Sequence, residues 1–307
     1  MADPQVSSLL SGTFKWIYDN LSLIAPAPAP QPESAPRLGP LLDLAIVCQR
    51  AREGWLPDDA AEVAEACLDR LVDICGHDEW RGALEWPGRY YTWLIAVLRR
   101  ADRPADGPGY ETVRHLVEAG QADFLTGKPR SVRDALEARY VLDICDLTVP
   151  SMPLLGSLYP DSAINTRVIA ADISESMAFD ITHVILFLSD MGSRPVTGLT
   201  SAQERHAKAV IDELLQYYHP ARHWDLTAEL LICRRVLGAE ADEACRAARA
   251  SLLAAQVPSG MLPGPAFSAA RHAALPASER PAYELACCLH TTLAATLYGA
   301  TSGHYGQ

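Results

Sequence analysis

The chain has 307 residues, 49% of them apolar, and a formal net charge of −12. That length holds one large domain or two small ones with a sizeable core. Lys and Arg never cluster beyond a pair such as Arg99–Arg100, so the basic stripe that binds nucleic acid or an anionic membrane surface is missing.

The N-terminus "MADPQVSSLLSGTFKWIYDNLSLI" lacks the charged leader and continuous apolar run of a secretory signal. No stretch reaches the roughly 18 uncharged apolar residues of a membrane span. A cytoplasmic protein without a membrane span is therefore expected. Within this segment Leu9, Leu10, Phe14, Ile17, Leu21 and Ile24 recur at helical spacing, which predicts a helix over 5–24. "APAPAPQPESAPRLGP" follows over 25–40; its prolines remove donors and favour extended backbone. These residues are expected to be a linker that tethers the N-terminal helix to a body, residues 41–307, so that the helix docks either on that body or on a protein partner.

From residue 41 one helical pattern follows another. Helices are predicted over 41–53, 58–75, 89–101, 109–122, 131–145, 174–191, 201–218, 226–237, 240–256 and 281–299. The second of these opens on "DDAA", an aspartate cap signal with an acidic first turn. Convincing period-2 strands are absent, and the breaks carry Pro and Gly, as in "DRPADGPG" and "VPSGMLPGP". The fold class is all-α, and consecutive antiparallel helices suggest an α/α toroid or solenoid. No strict internal repeat distinguishes that from an irregular helical bundle.

Eight cysteines, Cys48, Cys67, Cys75, Cys145, Cys233, Cys245, Cys287 and Cys288, form no CxxC pair. Their apolar helical contexts suit buried free thiols in a reducing compartment better than zinc.

"AFDITHVILFLSDMG" (178–192), "HWDLTAELLICRRVLG" (223–238), "LLAAQVPSGMLPGP" (252–265) and "LHTTLAATLYG" (289–299), in this order, resemble DUF6895, a family of helical proteins from actinobacteria, over residues about 38–300. The resemblance implies a helical fold and no particular reaction. Gln256 to Pro265 also resembles the "Q…DG…GP" turn between helices of terpene-cyclase-type α/α barrels. Here Ser259 stands where that turn has Asp, and Met261 where an aromatic follows the glycine. Neither a DxDD nor a DDxxD motif is present, so this similarity implies architecture and not a cyclase's acid or magnesium site.

Three apolar helices carry ionisable residues. In the first, His183 lies three residues after Asp180 and seven before Asp190, among Ile181, Val184, Ile185, Phe187 and Leu188. Positions three, four and seven apart share a face, and a helix apolar on every side is central. Buried His and Asp need partners, because each left unpaired costs about 1–3 kcal/mol. A satisfied network clamping a neighbouring helix meets that need. So does a cavity in which a carboxylate orients the imidazole for proton transfer. A metal site is a third possibility, but these ligands are too few to specify a metal.

In the second, Asp225 and Glu229 are four apart. Asp225 suits a helix cap, whereas Glu229 suits a cavity carboxylate or a partner for an arginine such as Arg139. His219 and His223 flank Pro220 and are expected at the surface. In the third, Glu284, His290, Thr291 and Thr292 interrupt an apolar run, with the small Ala294 and Ala295 one turn on. Cys287 and Cys288 have no basic neighbour in sequence to lower their pKa, so core positions are expected. Tyr140 and Asp143, three apart, form a lesser candidate pair.

There is no GxGxxG, Walker loop, HExxH or GxSxG elbow. The expected function is a cofactor-independent, cyclase- or isomerase-like enzyme of specialised metabolism acting on an apolar small molecule. Candidate acid and base residues are His183, Asp180, Asp190, Asp225, Glu229 and His290, with no cofactor or metal called for. The alternative is a non-catalytic helical-repeat scaffold for a protein or peptide. The two differ in whether His183, Asp180, Glu229 and His290 line one hollow.

Overall fold

The computed structural model describes residues 3–26, 37–77, 88–103, 107–121, 123–126, 131–166, 169–239 and 242–302. Its long helices are α1 (Pro4–Asp19), α2 (Leu38–Glu53), α3 (Asp58–Gly76), α4 (Arg89–Arg100), α5 (Gly107–Glu118), α6 (Val132–Ile144), α7 (Glu175–Leu188), α8 (Ser201–Tyr218), α9 (Trp224–Val236), α10 (Glu243–Ala254) and α11 (Arg280–Ser302). Among the described residues there is no strand, and no helix is long and apolar enough to cross a membrane. All of the predicted helices are present. Short helical turns at Leu21–Ile24, Asp123–Thr126, Leu155–Leu158 and Ala269–Ala274 join them; most are too brief to show a period.

Helix starts follow local chemistry. Ser131 accepts from Asp134 N at 3.1 Å, Ser174 from Met177 N at 3.2 Å and Asp242 from Cys245 N at 2.8 Å, each satisfying an amide that the first turn leaves open. At α8, Thr200 and Gln203 form a reciprocal capping box. The aspartate cap expected for α3 is corrected: Pro57 occupies the cap position, while Asp58 and Asp59 lie in the first turn, where their charge suits the helix dipole.

Burial sorts the helices into two sets. α2, α4, α9 and the second half of α11 are buried around most of their circumference. α3 and α8 bury one stripe, for example Ala207, Val210, Ile211, Leu214, Leu215 and Tyr218 in α8. Together with α6 and α7, each about half buried, the mostly buried helices form a closed circuit of contacts: α2 packs on α4, α4 on α6, α6 on α7, α7 on α9, α9 on α11, and α11 back on α2. Outside them, α3 lies on α2, α5 on α4, and α8 and α10 on α9.

The N-terminal helix belongs to this outer set. Its apolar face (Leu9, Leu10, Phe14 and Ile17, all buried) packs against α11 and α3. Each such side chain contributes about 1.5–3 kcal/mol on burial. The Pro-rich stretch expected as a linker, 25–40, lies mostly outside the described residues, and α2 begins inside it at Leu38. The Gln256–Pro265 turn fastens α1 in place. Gln256 Nε2 donates to Leu9 O at 3.0 Å and to Gly260 O at 2.9 Å. Gly260 has φ +98°, and a Cβ there would stand 2.0 Å from Gly12 O. Only glycine tolerates both the left-handed backbone and that approach.

Candidate functional site

Four of the helices line a partly open cleft; about 420 Å³ of non-atom space lies within it, part of it open to solvent. α2 contributes Asp43, Ile46 and Val47. α7 and the turn after it contribute His183, Leu186 and Met191. Glu229 comes from α9, and His290, Leu293, Ala294 and Leu297 come from α11. The cleft is polar at one end. Side chains of Asp43 and His290 are 41% and 51% exposed, which marks the mouth, whereas Leu186, Met191, Val47 and Leu297 are buried and form the apolar walls and floor.

Glu229 is the buried carboxylate of the mouth. Its Oε2 accepts the Thr182 hydroxyl at 2.5 Å and lies 4.0 Å from His183 Nδ1. Its Oε1 lies 3.8 Å from His290 Nε2. His183 Nδ1 donates to the Phe179 carbonyl at 2.6 Å. A carbonyl only accepts, so this nitrogen is the donor and Nε2 is the ring atom left facing away from that bond. His290 Nδ1 stands 3.5 Å from Asp43. Burial pulls the His290 pKa down, but Asp43, Glu229 and Asp225 pull harder and raise it to about 9. At neutral pH it is an imidazolium between two carboxylates.

Phe179 organises a second layer. Its ring packs edgewise on His183, His223 and His290, with centroids 6.4, 6.2 and 5.8 Å away. His223, expected at the surface, is buried. It pairs with Asp225 and, at 3.4 Å, with Glu175. Burial lowers its pKa, and the two carboxylates more than offset that, so the net shift is upward. Asp225, for which burial alone would raise the pKa, is held below the usual carboxylate range by His223. It also accepts from Leu226 N at 2.9 Å, so its capping role is local and its main partner is His223.

The six residues singled out from the sequence therefore separate. His183, Glu229 and His290 line one cleft. Asp225 sits beside them, tied to His223. Asp180 does not join the cleft lining: it pairs with Arg133 of α6 at 2.5 Å, clamping α7 to its neighbour. Asp190 is also outside it. Its carboxylate accepts from Arg50 at 3.0 Å, from both Arg100 terminal nitrogens at 2.9 and 2.8 Å, and from Tyr140 at 2.8 Å. Burial would raise its pKa, but Arg100 and Arg50 together hold it well below the usual carboxylate range. Glu229 does not pair with Arg139, which bonds Asp143 instead. Asp43 was missed. It lies in "LLDLAIV", where a lone aspartate carries no signal until α11 brings His290 against it.

Asp190 borders a second hollow of about 560 Å³, lined also by Arg100, Tyr140, Asp143, Asp146 and Arg194. All eight cysteines are free thiols. Burial pushes Cys288 up to about 11 and Cys145 up to about 12, values that disfavour the thiolate a nucleophile needs. Among the described residues, no three of His, Cys, Asp and Glu stand in an arrangement that holds a metal ion.

Fold and site thus define an all-helical protein with a cleft, lined by four of its helices, that carries histidine and carboxylate side chains at its mouth. The chain belongs to DUF6895, a domain of unknown function, whose family model matches residues 10–300. That match reaches beyond the 38–300 expected from the sequence and takes in most of α1. No curated protein and no solved structure matches the chain.

Proposed function

We propose that this protein is a cofactor-independent acid–base enzyme, of the isomerase or cyclase type, acting on a small and mainly apolar molecule bound in the central cleft. One observation carries the proposal: His183, Glu229 and His290, from three different helices, meet at the polar mouth of an otherwise aliphatic cleft. Apolar walls with a few convergent polar groups are the usual composition of a small-molecule site. The protonated His290 supplies an acid, and His183 Nε2 supplies a base whose tautomer is set by the Phe179 carbonyl. Adding a proton at one atom and removing one at another rearranges a substrate with no net oxidation. The closed circuit of ring helices supports an α/α toroid as the architecture. Burial of the apolar face of α1 against α11 and α3 favours the enzyme reading over a scaffold that docks through this helix.

The test is solvent exchange. The full-length chain is incubated in heavy water with a panel of unsaturated apolar molecules, and deuterium incorporation or a rearranged product is followed by mass spectrometry. Incorporation that disappears in His183→Ala, with helical content retained, is the expected result. Incorporation unchanged by that substitution, or none with any member of the panel, would remove the acid–base assignment.

A further inference from the structure

We infer that the ligand of the central cleft presents a neutral hydroxyl on an aliphatic body, held between Glu229 Oε1 and His290 Nε2. The inference rests on the proposed reading of this cleft as a ligand site and names what it selects.

The Glu229 side chain is only 5% exposed. Its Oε2 is satisfied by Thr182, whereas Oε1 receives no hydrogen bond among the described residues. The His290 Nε2 opposite is 3.8 Å away, too far for a direct hydrogen bond. An oxygen about 2.8 Å from each atom bridges that gap with normal hydrogen-bond lengths. The two sides are complementary to a hydroxyl, which would take the place a water molecule can occupy. The carboxylate oxygen needs a donor, the imidazolium N–H needs an acceptor, and one hydroxyl is both.

Charge narrows the class further. A carboxylate head would meet Glu229 and Asp43, a like-charge contact that is costly in a partly desolvated site. An ammonium head would be drawn to the same two carboxylates, but it meets the His290 cation and offers that ring's N–H no acceptor. Apart from His183 and Asp43, the remaining lining is aliphatic, from Ile46 and Val47 to Ala294 and Leu297, and contains no Phe, Tyr or Trp, which suits an alkyl or alicyclic body.

The experiment is calorimetric titration of the full-length chain near neutral pH with four molecules of matched size: 1-hexanol, pentyl methyl ether, hexylamine and hexanoate. Hexanol is expected to bind more tightly than each of the others by roughly tenfold or more, because a site built around a hydroxyl leaves its polar groups unpaired with the analogues. Glu229→Gln is expected to erase the preference, since its amide can satisfy Thr182 only by turning N–H groups toward His290. Ala294→Phe, which fills the cleft, is expected to abolish binding of all four and serves also if Glu229→Gln does not fold. Equal affinity for hexanol and the ether or the amine would overturn the hydroxyl assignment while leaving the cleft as the site. Binding unaffected by Ala294→Phe, or no binding of any molecule, would overturn the cleft reading itself.

Discussion

Asp190 and Met191 are consecutive residues that serve opposite hollows. Both adopt left-handed backbone, with φ +53° and +55°, ahead of Gly192 at φ +85°. Asp190 turns to Arg50, Arg100 and Tyr140 beside one hollow, while Met191 forms floor for the central cleft. Left-handed backbone costs a non-glycine residue on the order of 1–3 kcal/mol and persists where surrounding contacts enforce it. Here the Asp190 ion pairs supply that enforcement.

Asp190→Ala should therefore destabilise the protein by about 3–5 kcal/mol, because it leaves Arg50, whose side chain is 2% exposed, with its buried charge uncompensated on that side. Urea denaturation measures this. The folded-state pKa of Asp190 lies below its unfolded value, so its contribution is present above the unfolded pKa of about 4 and falls away as pH drops below it. The mutant should accordingly lose less stability than wild type between neutral pH and about pH 3. An unchanged unfolding midpoint for Asp190→Ala would refute the role of these pairs.

His290 has the opposite sign. Its folded-state pKa of about 9 exceeds the ordinary histidine value of 6.5. Its contribution is complete below about pH 6.5 and disappears as pH rises through 9. Half of the side chain meets solvent, so screening keeps the effect modest, below about 1 kcal/mol. Carbon-detected NMR titration of the imidazole should place its midpoint near 9, and Asp43→Asn should lower it. A midpoint near 6.5 in the wild type would show that the two carboxylates do not grip the ring.

His183→Ala should separate function from folding. The ring's hydrogen bond runs to Phe179 in its own helix, so its loss should cost only about 1 kcal/mol. Ligand binding or turnover should disappear while circular dichroism stays helical. Loss of soluble protein would instead assign His183 to structure.

Gly260→Ala should loosen α1. The new methyl would collide with the Gly12 carbonyl, and the residue would be left at φ +98°. A penalty above about 2 kcal/mol is expected, with faster protease cleavage between α1 and α2. Protection equal to that of wild type would show that the turn does not fasten the helix.

Much of the helical framework was legible in advance, because apolar periodicity and Pro/Gly breaks are local properties. The cap read from the sequence for the start of α3, at Asp58, was displaced by one residue to Pro57, whereas the caps Ser131, Ser174 and Thr200 emerged only with the structure. The site was legible only in part. His183, Glu229 and His290 stand out as ionisable residues within apolar helices, which is a one-dimensional signal of interior placement. Asp180 and Asp190 give the same signal for a different reason: they meet Arg133, Arg50 and Arg100, residues 47, 140 and 90 positions away. Asp43 and His223 show the converse. One looked unremarkable and the other superficial, because their partners lie on other helices.

What the amino-acid order determined by itself is the class of the chain: all-helical, with interior helices marked by apolar residues on every side and a few ionisable groups among them. Side-chain period and backbone hydrogen bonding act over a few residues, so they can be read along the line. Which of those groups share a cleft, and which are locked in ion pairs, was decided only when distant helices packed together and α11 returned to α2. Coulombic pairing and cavity formation depend on distances of a few ångströms between segments far apart in sequence, and only the tertiary structure sets those.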